Sequence, residues 1–280
     1  MKYSIGFMQG RLSEKVDGKI QAFPWKNWEN EFSIASSIDL HLMEWTLDQE
    51  RLYENPLMIK EGQARIKELC QLFDLTIPSL TGDCFMQAPF WKAGDLECEK
   101  LKQDFLQIAD ACAFIGIKML VVPLVDSGRI ENSRQEDFLV NFLLEQEEFF
   151  TQRGLRIIFE SDFYPNEFAR FIGRLPSNQF GINYDIGNSA ALGFDPVEEF
   201  SRYGHRIQNV HIKDRVLNGT TVVLGQGNAN FKKVFELLKS LNYSGNYIMQ
   251  TARDESGDHV GALKRYRAMT ESWIGGVNGA

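Results

Sequence analysis

The sequence predicts an α/β fold, a single (β/α)8 barrel, on three observations. Between Arg156 and Gln250, four short apolar runs each end in one polar group able to bind a metal: RIIFE at Glu160, FGINYD at Asp185, NVHIK with His211, and NYIMQ at Gln250. The intervals between these groups, 25, 26 and 39 residues, each have room for a loop, a helix and the next strand. A parallel barrel has this rhythm because every strand delivers its last residues to one rim. Third, strand-like and helix-like segments alternate eight times, the pattern of a parallel sheet with right-handed crossovers. No GxGxxG follows the first strand to support an open dinucleotide-binding sheet.

In chain order, SIGFM (4–8) reads as strand 1, followed by Gln9, Gly10 and Arg11. A polar loop with Gly18 leads to a helix over Trp25–Ser37. LHLMEW (40–45) is strand 2, ending near Glu44, and Asn55-Pro56 starts a helix that continues through ARIKELCQLF. LTIPSL (75–80) is strand 3, with Thr81, Gly82 and Asp83 at its end. A helix over about 96–115 follows, apolar at Leu101, Phe105, Ile108, Ala109 and Cys112. IKMLVVPL (117–124) is nearly unbroken apolar sequence, as expected of a parallel strand covered on both faces. DFLVNFLLEQEEFF (137–150) is the next helix, stopped near Gly154. The four runs named above supply strands 5 to 8, with KKVFELLKSL (232–241) the clearest helix between them and Gly261–Ser272 closing the chain.

The 280 residues are 44% hydrophobic, enough for a large core, and no linker divides them. One domain is expected over 1–280, with a C-terminal tail from about 274. The net charge of −8 argues against nucleic-acid binding. No apolar run approaches the roughly 18 residues of a membrane span, and MKYSIGFMQGRL reads as a first strand and not as a signal peptide. Cys70, Cys84, Cys98 and Cys112 form no CxxC pair, so reduced thiols in a cytoplasmic protein are expected.

A carboxylate pair, an imidazole and an amide oxygen suit Mn, Mg, Co or Zn better than a softer ion. Each group has a plainer reading as a salt-bridge, capping or core residue. His211 lies between Val210 and Ile212, so strand geometry buries those neighbours on one face and turns His211 and Lys213 to the other. Glu44 and Asp83 end strands 2 and 3 on the same rim, either as substrate contacts or as helix caps. Trp45 and Phe85 form an apolar wall or pack in the core. Lys213 and Arg215 are the positive charges nearest the site, there for a polar substrate or to neutralise Asp185 and Asp214. LGQGNANF (224–231) is either a phosphate loop or a tight turn, with Asn230 as an N-cap.

At these residues the chain resembles the xylose isomerase-like TIM-barrel superfamily of sugar-phosphate isomerases and epimerases, over nearly its whole length. The matching pieces are FES on strand 5, YDIGNS on strand 6, HIKD on strand 7 and IMQTAR on strand 8. The resemblance implies one divalent metal ion held by Glu160, Asp185, His211 and Gln250, with Arg215 contacting substrate. MQGRLS followed by AFPW is similar to a branch associated with bacterial surface-polysaccharide genes. Two positions depart from the pattern. The superfamily's ketose 3-epimerases usually carry Glu on strand 8, where this chain has Gln250, and an amide cannot take up a proton at ordinary pH. Many relatives have His in DxGH, where this chain has Asn188, another candidate substrate contact. Endonuclease IV shares the fold but uses many His ligands, and this chain has only His41, His205, His211 and His259.

The expected activity is that of a metal-dependent isomerase or epimerase acting on a sugar or sugar phosphate through an enediolate, with Glu160 as the base. Asp83, Glu44 or Lys213 is the candidate second acid. The alternatives are a metal-dependent dehydratase and a barrel that binds a sugar or nucleotide-sugar without turnover. The expected partner is a small sugar, with no nucleic acid or membrane, in a possible homo-oligomer.

Overall fold

The computed structural model describes residues 4–276. Its centre is a closed barrel of eight parallel strands: β1 (Ile5–Met8), β2 (Leu42–Thr46), β3 (Thr76–Thr81), β4 (Met119–Leu124), β5 (Arg156–Ser161), β6 (Phe180–Asp185), β7 (Ile207–Ile212) and β8 (Asn246–Met249). Each strand pairs with its neighbours in sequence, and β1 pairs with β8 to close the ring. The pairing sets Asp185 opposite His211 and His211 opposite Ile248. It also sets Glu44 opposite both Met8 and Ser79. The ends of β5 to β8 thus meet at one rim, as the apolar-run spacing predicts.

Helices surround the ring, and their apolar faces pack against the outward side chains of the strands. The helix Asp95–Ile115 buries Leu101, Phe105, Ile108, Ala109 and Cys112, the stripe read from the sequence. It stops at Gly116, whose φ of +98° a side chain would resist. Phe105 lies edge-on to Phe142 at 5.7 Å, and Phe90 meets Phe142 at 4.8 Å. These rings fill the layer between barrel and helices.

Several boundaries differ from the sequence reading, each for a local reason. The first helix runs over Asn30–Ser37 only, because Trp25 and Trp28 are drawn onto Phe23 and form an aromatic cluster with Trp45. Asn55 caps a short 3-10 turn, Pro56–Met58, by accepting Leu57 N–H, and extended Ile59 separates that turn from the helix Lys60–Leu72. The segment expected as one helix over 137–150 is two, Ser133–Glu145 and Glu147–Gln152, broken at Gln146. A helix at Asp83–Gln87 begins immediately after β3, where only a strand end was expected. The closing helix extends over His259–Gly276, and residues 277–280 of the expected tail lie outside the described residues. Cys70, Cys84, Cys98 and Cys112 are all free thiols. Among the described residues no helix is long and apolar enough to cross a membrane.

Candidate metal and substrate site

The site begins below the rim, with a polar layer inside the barrel. Glu44 is completely enclosed and accepts four hydrogen bonds. Ser79 Oγ (2.5 Å) and Asn209 Nδ2 (2.9 Å) donate to one oxygen, and Thr81 Oγ1 (2.5 Å) and His211 (2.7 Å) to the other. Burial alone would favour a neutral carboxyl group, but His211 and the two hydroxyls prevail and hold the Glu44 carboxyl below its usual range. An ionised carboxylate only accepts hydrogen bonds, so the His211 nitrogen facing it, Nε2, carries a proton. The other ring nitrogen, Nδ1, is left facing Glu160 Oε2 at 3.3 Å and Asp185 Oδ2 at 3.8 Å. Burial opposes a charge on His211, but Glu44 first, then Asp185 and Glu160, raise its affinity for a proton well above the ordinary value.

Glu160, Asp185 and His211 each offer one atom that could ligate a metal ion, and these atoms all lie within 4.8 Å of one another. This buried N/O set suits a divalent cation by donor type and by spacing. Asn183, unnoticed in the sequence, braces it: its amide nitrogen donates to Glu160 Oε2 at 2.9 Å and lies 3.0 Å from His211 Nδ1. Asp185 also begins a short helix, Ile186–Leu192, accepting Asn188 N–H on Oδ1 at 2.8 Å. Burial would raise its pKa, but Lys213 and His211 outweigh burial and hold Asp185 well below the ordinary carboxylate range.

Lys213 reaches into the same space. Its ammonium donates to Asp185 Oδ2 and Asn188 Oδ1, both at 3.0 Å, and to Gln250 Oε1 at 3.3 Å. Gln250 Nε2 in turn donates to Gln21 Oε1 at 2.7 Å. These two contacts fix the amide with its oxygen toward Lys213 and its nitrogen toward Gln21. Asn188 links three groups at once, donating to Glu160 Oε1 at 2.5 Å and accepting from Lys213 and from Arg215 at 2.8 Å.

Gln21, also missed in the sequence, belongs to the loop after β1. It donates to Asp83 Oδ2 at 2.7 Å, tying that carboxyl group to the Gln250 side of the pocket. Arg11 holds this loop against the end of β8 by donating to Thr251 O at 2.9 Å and to Ile20 O at 3.2 Å. Burial first, then the nearby charges of Asp48 and Glu160, push the Asp83 carboxyl up to about 7 in spite of Gln21. Gln21, Asp83, Glu160, Lys213, Arg215 and Gln250 line one cavity of about 390 Å³ at the rim.

Other candidates fall elsewhere. Glu44 lies inside the barrel beneath the cavity, with its acceptor sites filled by protein donors. Trp45 is core, donating to Asn55, and Phe85 packs on Phe105 at 4.5 Å. The 224–231 loop wraps a group of its own: Gly225, Gly227 and Ala229 N–H donate to Asp214 at 2.8, 2.9 and 3.1 Å. A Cβ on Gly227 would lie 2.2 Å from Asp214 Oδ1, so only glycine permits this approach. The loop amides are therefore taken up by Asp214, and Asn230 caps the next helix. A signal for the missed asparagines was present. Asn183 and Asn209 stand two residues before Asp185 and His211, on the same inward face of their strands.

The family model described as xylose isomerase-like TIM barrel matches residues 32–272. An inosose dehydratase from Clostridium botulinum (strain Alaska E43 / Type E3) is 23% identical over 194 residues, 56% of this chain, and the chain spans 65% of that protein's length. A putative L-ribulose-5-phosphate 3-epimerase from Haemophilus influenzae is 22% identical over 268 residues, 89% of this chain and 88% of that one. The solved structure of IOLI protein with a bound zinc atom superposes with a TM-score of 0.78 at 15% identity, covering 98% of this chain and 99% of that one.

Proposed function

The chain belongs to the xylose isomerase-like TIM-barrel family, and from that premise we propose that it is a divalent-metal-dependent enzyme of the sugar isomerase and epimerase type, removing the proton beside a sugar carbonyl. The observation that carries this reading is the convergence of Glu160, Asp185 and His211 Nδ1 over the Glu44 contact. Of the relatives named above, the putative epimerase agrees with it in reaction class, and the dehydratase agrees with the second reading below.

Glu160, Asp185, His211 and the Gln250 amide oxygen would hold the cation. When bound, the cation supplies positive charge that acidifies a C–H beside a carbonyl and stabilises the enediolate form of the substrate. The remaining chemistry belongs to the chain. Glu160 takes the proton, with both carboxylate oxygens oriented by Asn183 and Asn188. Lys213 keeps a fixed positive charge beside Asp185 and Gln250, and Arg215 offers N–H donors to substrate oxygens from the same wall. Gln250 cannot return a proton. Asp83 takes that part, because its carboxyl group faces the same cavity and, raised to about 7, exchanges its proton near neutral pH.

Asp83 also supports a second reading, dehydration. There Glu160 removes the proton beside the carbonyl, the C–O bond at the next carbon breaks, and the hydroxyl leaves as water with the proton from Asp83. Incubation with ketoses and with inosose in heavy water, followed by NMR, separates the two readings. Deuterium entering the sugar with carbon connectivity and oxygen count intact supports isomerisation or epimerisation, and loss of water supports dehydration. Glu160→Gln is expected to abolish exchange in either case, and retained exchange would remove Glu160 as the base. Asp83→Asn is expected to keep exchange at the acidic carbon while product formation falls by about 10²-fold or more. No exchange with any substrate by metal-loaded protein would favour a barrel that binds sugar without turnover.

A further inference from the structure

The reacting cavity does not end at Arg129, Asp162 and Leu192. These three residues also border a second cavity of about 670 Å³, formed by the loops and helices that follow β4, β5, β6 and β7 on the same rim. The first cavity already lies within the range of about 300–1,000 Å³ usual for whole small ligands. A monosaccharide at Glu160 would leave the larger space unfilled.

The second space has a definite chemistry. Each arginine in its wall is matched by a carboxylate: Arg129 with Asp162 at 2.6 Å, Arg170 with Glu136 at 2.6 Å, and Arg174 with Glu136 and Asp137. Glu167 adds further negative charge to the same wall, and Glu131, also there, is paired with Lys92 at 3.0 Å. A phosphate or a nucleotide diphosphate would meet no uncommitted arginine there and would face excess carboxylate. A neutral group rich in hydroxyls would meet many acceptors and donors already held in place. The wall also carries Tyr164, 67% exposed, with its ring 5.7 Å from that of Phe194. An exposed ring beside fixed polar groups offers a flat apolar face with two rotatable side-chain torsions to immobilise, a low-entropy platform for a sugar ring.

We propose that this groove is a subsite for a second, neutral sugar ring, so that the substrate is a glycoside of the reacting sugar and not a free monosaccharide or a sugar phosphate. The proposal rests on the proton-abstraction reading for the position of the reacting end. Arg129 and Asp162 stand at the junction of the two cavities, where the linkage between the rings would pass.

The test uses metal-loaded protein with four kinds of probe: D-fructose, D-fructose 6-phosphate, and the glucosyl ketoses maltulose and isomaltulose. Solvent-deuterium exchange gives kcat and KM, and saturation-transfer NMR reports on the glucosyl protons separately from turnover. At least one glucosyl ketose is expected to show a KM lower than that of fructose by about tenfold, the effect of one well-stacked ring, with saturation on its glucosyl protons. Tyr164→Ala should remove both the advantage and the saturation, and Tyr164→Phe should restore them. Equal KM values for fructose and the glucosyl ketoses, a preference for the phosphate, or an unchanged preference in Tyr164→Ala would each overturn the subsite. If no probe exchanges its proton, the proton-abstraction reading fails, and saturation of the glucosyl protons with its loss in Tyr164→Ala still decides the subsite.

Discussion

Replacing Glu44 with Gln tests how the chain prepares His211. The substitution keeps the shape and removes one acceptor oxygen from a group that serves four donors. Ser79 and Thr81 hydroxyls can turn and accept from the new NH2 group. Asn209 Nδ2 and His211 Nε2–H cannot, and one of them must face the amide nitrogen. A buried donor that loses a charged acceptor costs about 1.5–3 kcal/mol, so a loss of about 3 kcal/mol in unfolding free energy is expected by urea titration. If the amide NH2 faces His211, the imidazole proton moves from Nε2 to Nδ1 and points at Glu160 and Asp185. That nitrogen then has no lone pair for a cation, and metal affinity should fall by about 10–100-fold, the usual effect of losing a carboxylate behind a histidine ligand. Calorimetric titration with Mn measures the affinity, and nitrogen-15 NMR of the imidazole reads the tautomer. A Glu44→Gln protein with metal affinity within about twofold of wild type, an unchanged tautomer and no loss of unfolding free energy would refute the argument.

Three further outcomes follow from the geometry. Asp214→Ala leaves the amides of Gly225, Gly227 and Ala229 without their shared acceptor; a stability loss of about 3 kcal/mol or more is expected by urea titration, with proteolysis concentrated in this loop. Glu31 is buried and raised to about 7, chiefly by burial and against the N–H groups of Gly10 and Leu12. Its folded pKa lies above the unfolded value, so the fold favours the protonated form, and that contribution, about 3 kcal/mol, is lost as pH rises through 7. Urea midpoints of metal-free protein should therefore fall between pH 5 and pH 8, less steeply in Glu31→Gln. Gln250→Glu places a carboxylate 3.3 Å from Lys213 in the amide's position; metal affinity should rise by about tenfold with the added ligand charge, and NMR of ketose mixtures should detect new C3 epimerisation.

The barrel was legible because its strands end in chemistry at regular intervals, and the ring closes as that spacing requires. The convergence of Glu160, Asp185 and His211 follows from the same pattern. Glu44 was harder to place. A carboxylate near a strand end reads as a rim group, yet the pairing with Met8 and Ser79 sets it one layer lower, under His211. Asn183 and Asn209 were hidden within apolar runs, although their two-residue spacing from Asp185 and His211 marks the inward face. Gln21 had no local signal, because its position depends on Arg11 and Arg253 anchoring the loop from outside the pocket: Arg253 donates to Ile20 O at 3.3 Å and to Ser13 O. The helix break at Ile59 was hidden because Asn55 reads as the start of one helix, whereas it caps a separate short turn by accepting Leu57 N–H.

The arrangement divides unequally between the two halves of the chain. The candidate ligands stand on β5, β6 and β7 and just past β8, whereas Glu44, Asp83 and Gln21 come from β2, the short helix after β3 and the loop after β1. A polypeptide cut after β4 would leave every donor atom for the cation in the C-terminal fragment. Glu44, which faces the imidazole, and Asp83, the proposed donor of the second proton, would remain in the other. Complementation between two such fragments would therefore restore more than a closed ring: the N-terminal piece would act toward its partner as a chaperone for one histidine and bring the carboxyl group proposed to return the proton.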